Sequence, residues 1–150
     1  MEILVKYENG FRFSAECRGH TVATGQGDDG KKERDGMWPA QLFEASIGMC
    51  IGGYVAKFCR EQGIAYDDMT VELSRHIKTV SSGTTPSGGK ISRTTGIDAQ
   101  IRLGAKLSQE QRQGILEAAE NCHITKSIEE GLQIVCTLAD TEADSTLKTI

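Results

Sequence analysis

The chain has 150 residues, 38% of them hydrophobic and 25% charged, with a formal net charge of −4. That length can bury the core of one domain, residues 1–150, without disulfide staples. The composition is that of a globular protein and excludes a largely disordered chain. The one basic cluster, Lys31-Lys32-Glu33-Arg34, is diluted by Asp28, Asp29 and Asp35, so a nucleic-acid partner is not expected.

The chain opens with "MEILVKY", which reads as a strand and not as a secretory signal. With Asn9-Gly10 as a turn, it forms a hairpin with "GFRFSAECR", where Phe11, Phe13, Ala15 and Cys17 alternate with Arg12, Ser14, Glu16 and Arg18. The next segment, "GQGDDGKKERDGM", matches G-x-G-x-x-G at Gly25, Gly27 and Gly30. A dinucleotide site needs an apolar helix opening at the last glycine, whereas Lys-Lys-Glu-Arg-Asp follows, and Asp28 and Asp29 repel pyrophosphate. The segment therefore reads as a loop.

Pro39 suits the first turn of a helix that runs to about Gln62, with Gly63 in the stop position. Residues 45 to 56 of this helix carry no charge, so it is expected to be a core helix enclosed by sheet or by a partner subunit. The stretch is well short of the ~20 residues that span a bilayer, and no membrane partner is expected. Gly48, Gly52 and Gly53 weaken the helix, which another backbone approaching at the level of Cys50 would offset.

Residues 69–80 and 96–103, "MTVELSRHIKTV" and "GIDAQIRL", alternate as strands and bracket a glycine- and serine-rich loop, an antiparallel hairpin pattern. Ser108 and Gln111 form a capping box opening a second helix, which ends near Cys122. "LQIVCTL" reads as a last strand, with Leu132, Ile134, Cys136 and Leu138 on one face.

The five cysteines, at positions 17, 50, 59, 122 and 136, contain no C-x-x-C pair, which argues against a zinc site. Cys17 and Cys136 fall in register with apolar strand neighbours and read as core residues. Cys50 and Cys59 sit on one helix about 180° and ~13.5 Å apart, too far for a disulfide. Cys50 and Cys122 lie on different helices and read equally as buried thiols or as a reactive pair. If they act together, Cys122, at a helix C-terminal end where the dipole disfavours a thiolate, is the resolving partner.

"RGHTVAT", then "GMWPAQLFEASIGMC", then "LSQEQRQGILEAAENCHITKSI" resemble, in order and spacing, the osmotically inducible protein C and organic hydroperoxide resistance (OsmC/Ohr-like) family. The resemblance covers most of the chain. It implies an α+β fold with antiparallel sheets wrapped around a central buried helix, assembled as an intertwined homodimer. It also implies a cytoplasmic thiol peroxidase that reduces a small organic hydroperoxide, needs no cofactor and is recycled by an external dithiol. Carried across, Cys50 attacks the peroxide, Cys122 resolves, and Arg18 stabilises the Cys50 thiolate. The chain departs from the family pattern at Ala40, where a glutamate is usual, and at His123 and Thr125 after the second cysteine. Glu44 is the nearest helix acid, and Gln41 can hydrogen-bond an arginine without pairing its charge. These departures leave open a non-peroxidase relative that binds a small hydrophobic ligand at the dimer interface, or a thiol redox sensor.

Overall fold

The computed structural model describes residues 2–10, 12–25, 36–81 and 90–138. The N-terminal alternation folds into a three-stranded antiparallel sheet of β1 (Leu4–Asn9), β2 (Arg12–Cys17) and β3 (His20–Ala23). Gly10, at φ 49°, makes the first turn, and Val5 faces Ala15 across the pair. The strand expected to include Arg18 stops one residue earlier, because Arg18 and Gly19 take φ 54° and 79° and reverse the chain. Left-handed backbone at both positions matches the twist of a two-residue hairpin. It costs the glycine little and the arginine about 1–2 kcal/mol. Phe11, Gly27 and Gly30 lie outside the described residues. At the base of the following segment the Gly25 N–H donates to the Met37 carbonyl at 3.3 Å, and Gly25 lies too close to the Gly36 backbone to carry a side chain.

Helix α1 spans Pro39–Glu61 and ends at Gln62, followed by Gly63 with φ 63°. Its buried residues, Ile47, Ile51, Val55 and Cys59, recur every fourth position and form one stripe. The opposite side is open in the single chain, where Met49 is 72% exposed. The stripe packs on α2 (Gln109–Glu120), on α3 (His123–Glu129) and on β4 (Met69–Ser81). β4 pairs antiparallel with β5 (Lys90–Leu103), in register from Met69 opposite Leu103 to Ser81 opposite Lys90, with a shift between His76 and Ile77. The close approach expected at the α1 glycines comes from β4 side chains and not from a backbone. A Cβ on Gly48 would stand 3.2 Å from Leu73 Cδ1, and one on Gly52 3.8 Å from Val71 Cγ2.

The Ser108 capping box forms as expected: Ser108 Oγ accepts from Gln111 N–H at 3.1 Å, and Gln111 Oε1 accepts from Ser108 N–H at 2.9 Å. Ile115 and Ala119 of α2, with Cys122 after it, complete the core built on the α1 stripe. Beyond this point one element goes unforeseen and one expectation fails. The short helix α3 was not legible, since a cysteine is not among the residues that usually signal a cap. The segment 132–138 is not a strand, with Leu132 67%, Ile134 82% and Leu138 96% exposed. Alternation makes a strand only where a sheet edge is available to pair with it, and among the described residues no strand pairs with the segment. Cys136 is accordingly exposed and not a core residue, while Cys17 is half-buried.

Candidate functional site

Cys50 lies beside the buried stripe of α1, one residue before Ile51, and is half-buried against the core cluster. Cys122 belongs to that cluster and is fully buried, with a relative exposure of 0%. It stands where α2 has closed, as expected from sequence, and it also begins α3, so the helix C-terminus is not its only setting. Its φ of −66° and ψ of 145° make it the N-cap of α3, with its sulfur in the role a serine oxygen usually fills. The Thr125 N–H donates to Cys122 Sγ at 3.4 Å, and Thr125 Oγ1 lies 3.0 Å from the same sulfur. Cys50, on α1, packs against the same buried cluster as Cys122, so two thiols remote in the chain share one region of the core where α1 meets α3.

Burial pushes the Cys122 thiol up, but hydrogen bonds from the Thr125 side chain and backbone, the Cys50 side chain and the Ile124 backbone together bring it below its ordinary value. Cys59 is as deeply buried, and there burial pushes the thiol up. A thiolate accepts hydrogen bonds far better than a thiol, so donors clustered on one sulfur favour its ionised form.

Arg18 is placed differently from the two cysteines. It sits at the turn of the three-stranded sheet, beside a cleft lined by Glu2, Ile3, Leu4, Glu16 and Cys17, and that sheet is not among the main packing partners of α1. Gln41 is not free for an arginine, because its Oε1 accepts from the Trp38 N–H at 2.8 Å and caps α1. Glu44 pairs with Arg75 of β4 at 2.9 Å, both side chains being partly buried. Sequence reading missed Arg75. Its signal was the alternation of β4, which sets residue 75 in phase with Val71 and Leu73, the residues that face α1.

A mostly apolar cavity of about 450 Å³ is lined by Phe43, Ile47 and Ile51 of α1, Ile97 of β5, Ala119 of α2 and Thr125 of α3, among others, and by neither Cys50 nor Cys122. Among the described residues no group of His, Cys, Asp and Glu is arranged to hold a metal ion.

A model of the OsmC-like protein family matches residues 28–137, which is more than half of the chain. The chain belongs to the OsmC-like family. No curated protein matches its sequence. Among solved structures, this OsmC-like chain is similar to a putative osmotic stress induced and detoxification response protein from Psychrobacter arcticus 273-4, at 18% identity and TM-score 0.66 over 83% of this chain and 85% of that one. It is similar to an OsmC-like hydroperoxide resistance protein from Jannaschia sp. CCS1, at 17% identity and TM-score 0.60 over 92% and 91%. It is also similar to the organic hydroperoxide resistance protein OhrB of Bacillus subtilis, at 19% identity and TM-score 0.53 over 87% and 90%. At these identities the likeness establishes the OsmC-like fold, α+β with two antiparallel sheets and three helices among the described residues.

Proposed function

We propose that this OsmC-like protein reduces organic hydroperoxides with Cys50 as the attacking thiol and Cys122 as the resolving one. The observation that carries the reading is that Cys50 packs on the same buried cluster as Cys122, whose sulfur is held by Thr125 and is more acidic than an ordinary thiol. The Cys50 thiolate attacks the terminal peroxide oxygen and the O–O bond breaks. Sulfur is oxidised to a sulfenic acid and the alkoxide leaves, taking up a proton to become the alcohol. The Cys122 thiolate then attacks the Cys50 sulfur, forming the S–S bond as hydroxide departs and is protonated to water. An external dithiol reduces the disulfide by thiol exchange, which suits a reducing compartment such as the cytoplasm. Two of the structural neighbours are named for hydroperoxide resistance, which makes such peroxides the first substrates to test.

The working unit in this reading is a homodimer. α1 leaves Phe43, Met49 and Tyr54 exposed by 47%, 72% and 38%, an apolar surface that a second copy would cover. Arg18 reaches Cys50 from that second copy, where its charge and its fork of donors stabilise the thiolate.

Unreduced peptide mapping after one equivalent of cumene hydroperoxide tests the chemistry. A Cys50–Cys122 linkage is expected, with dithiol-dependent turnover that Cys50→Ser abolishes. Cys122→Ser should stop at a Cys50 sulfenic acid that dimedone traps. Thiols left unchanged by the peroxide would exclude the reading. They would favour instead a binding protein whose apolar cavity beside Thr125 takes a small hydrophobic ligand.

A further inference from the structure

Resolution needs a sulfur that is both ionised and held against the oxidised partner, yet Cys122 is fully buried, where a free thiolate is costly. The local chain compensates chiefly through one residue. Thr125 is three positions after Cys122, so the first turn of α3 brings both its backbone N–H, at 3.4 Å, and its hydroxyl, at 3.0 Å, to the same sulfur. These contacts fix Cys122 Sγ at the helix start, while Cys50 packs against the same buried cluster from α1.

We propose that Thr125 is a positioning residue for the resolving step, whose hydroxyl and N–H hold the Cys122 sulfur against Cys50 as the ionised nucleophile. The proposal rests on the peroxidase reading and adds a residue to it. In the step concerned, the Cys122 thiolate attacks the Cys50 sulfenic sulfur, the S–O bond breaks, and the departing hydroxide takes a proton to become water. The Thr125 hydroxyl gives up no proton in this step. Its hydrogen bond is strongest before attack and weakens as charge leaves the sulfur.

The titratable groups around Cys122 are few. From α1 it faces Cys50, with Cys59 in the same buried cluster. On its own segment His123 follows it, and Lys126 is turned to Glu129 at 2.8 Å. Glu120 and Glu129 line the cavity on which Thr125 also opens. The hydroxyl of Thr125 is therefore the side-chain donor whose removal should be felt most.

The test compares Thr125→Val and Thr125→Ser with the wild-type chain, following disulfide formation by rapid quench after one equivalent of cumene hydroperoxide over a range of pH. Valine keeps the shape and the backbone N–H but loses the hydroxyl. One lost bond to a charged sulfur should raise the pH midpoint of disulfide formation by about one unit. At neutral pH the smaller thiolate fraction is partly offset by a more basic, more nucleophilic sulfur, leaving a rate about threefold lower. Dimedone-trapped Cys50 sulfenic acid should accumulate, while the rate of peroxide consumption in the first turnover stays unchanged. Thr125→Ser should restore both midpoint and rate. A wild-type midpoint and rate in Thr125→Val, or no rescue by serine, would overturn the proposal. If Thr125→Val does not fold, Thr125→Ala removes the same hydroxyl and is read in the same way.

A second measurement separates this proposal from the reading beneath it. The ultraviolet thiolate signal of Cys122, taken as the difference between Cys50→Ser and Cys50→Ser/Cys122→Ser proteins, titrates without any peroxide. It should move upward when Thr125→Val is added. If the wild-type protein ignores peroxide, the peroxidase reading falls on that result, and a midpoint that Thr125→Val leaves in place overturns the role of Thr125.

Discussion

Cys59 and Cys122 are both fully buried, yet their acidities move in opposite directions. Burial raises both, and only Cys122 has donors enough to reverse the effect, so depth alone does not tell a packing thiol from a reactive one. With an iodoacetamide time course read by mass spectrometry, exposed Cys136 should be labelled first and Cys59 last, shielded and un-ionised. Cys122 also ties stability to pH. Its folded-state value lies below the ordinary 9.0, so the folded chain ionises first and gains stability as pH rises toward that value. The gain is lost as pH falls through the folded-state value. The stability deficit of Cys122→Ser, measured by urea unfolding under a reductant, should therefore widen from neutral pH to about pH 9 and shrink in acid.

At the scale of elements, the junction between α2 and α3 carries Cys122, and its placement depends on how α2 is anchored. The Ser108 capping box fixes the start of α2, and Gly114 lets α2 close on α1, because a side chain there would collide with the Phe58 ring. Ser108→Ala should cost about 1 kcal/mol of stability, seen as a lower urea midpoint with an unchanged slope. The α1 glycines serve packing in a narrower way than their spacing suggests. Gly48 gives room to Leu73 and Gly52 to Val71, whereas Gly53 meets nothing in the single chain. Helix α1 has the length and hydropathy of a membrane span, but its stripe of Ile47, Ile51, Val55 and Cys59 is taken up by the protein core.

For the whole molecule, the apolar surface left over is the feature to explain. It includes one side of α1 and the segment 132–138, where Ile134 and Val135 are 82% and 84% exposed. Alternating apolar residues with no edge to pair are what an intertwined partner would take into its own sheet. In the proposed homodimer, Ile134→Glu should shift the protein toward monomer in sedimentation velocity. It should also slow peroxide turnover if Arg18 is supplied by the second copy.

The sequence by itself determined the elements whose signals are local: the β1–β2 hairpin at Asn9-Gly10, α1 from its Pro39 start to the Gly63 stop that follows it, the β4–β5 hairpin, and the Ser108 box opening α2. Each depends on neighbours a few residues apart, through periodicity, caps and backbone preference. The motifs around Cys50 and Cys122 also carried the family. Tertiary structure alone decided that Cys50 and Cys122 share one buried cluster, that Cys122 begins a helix as well as following one, that Thr125 is its donor, and that Glu44 takes Arg75 as its partner. Those outcomes depend on how α1, α3 and β4 pack, and on whether a donor or an opposite charge reaches a given atom, a condition that no spacing along one chain encodes.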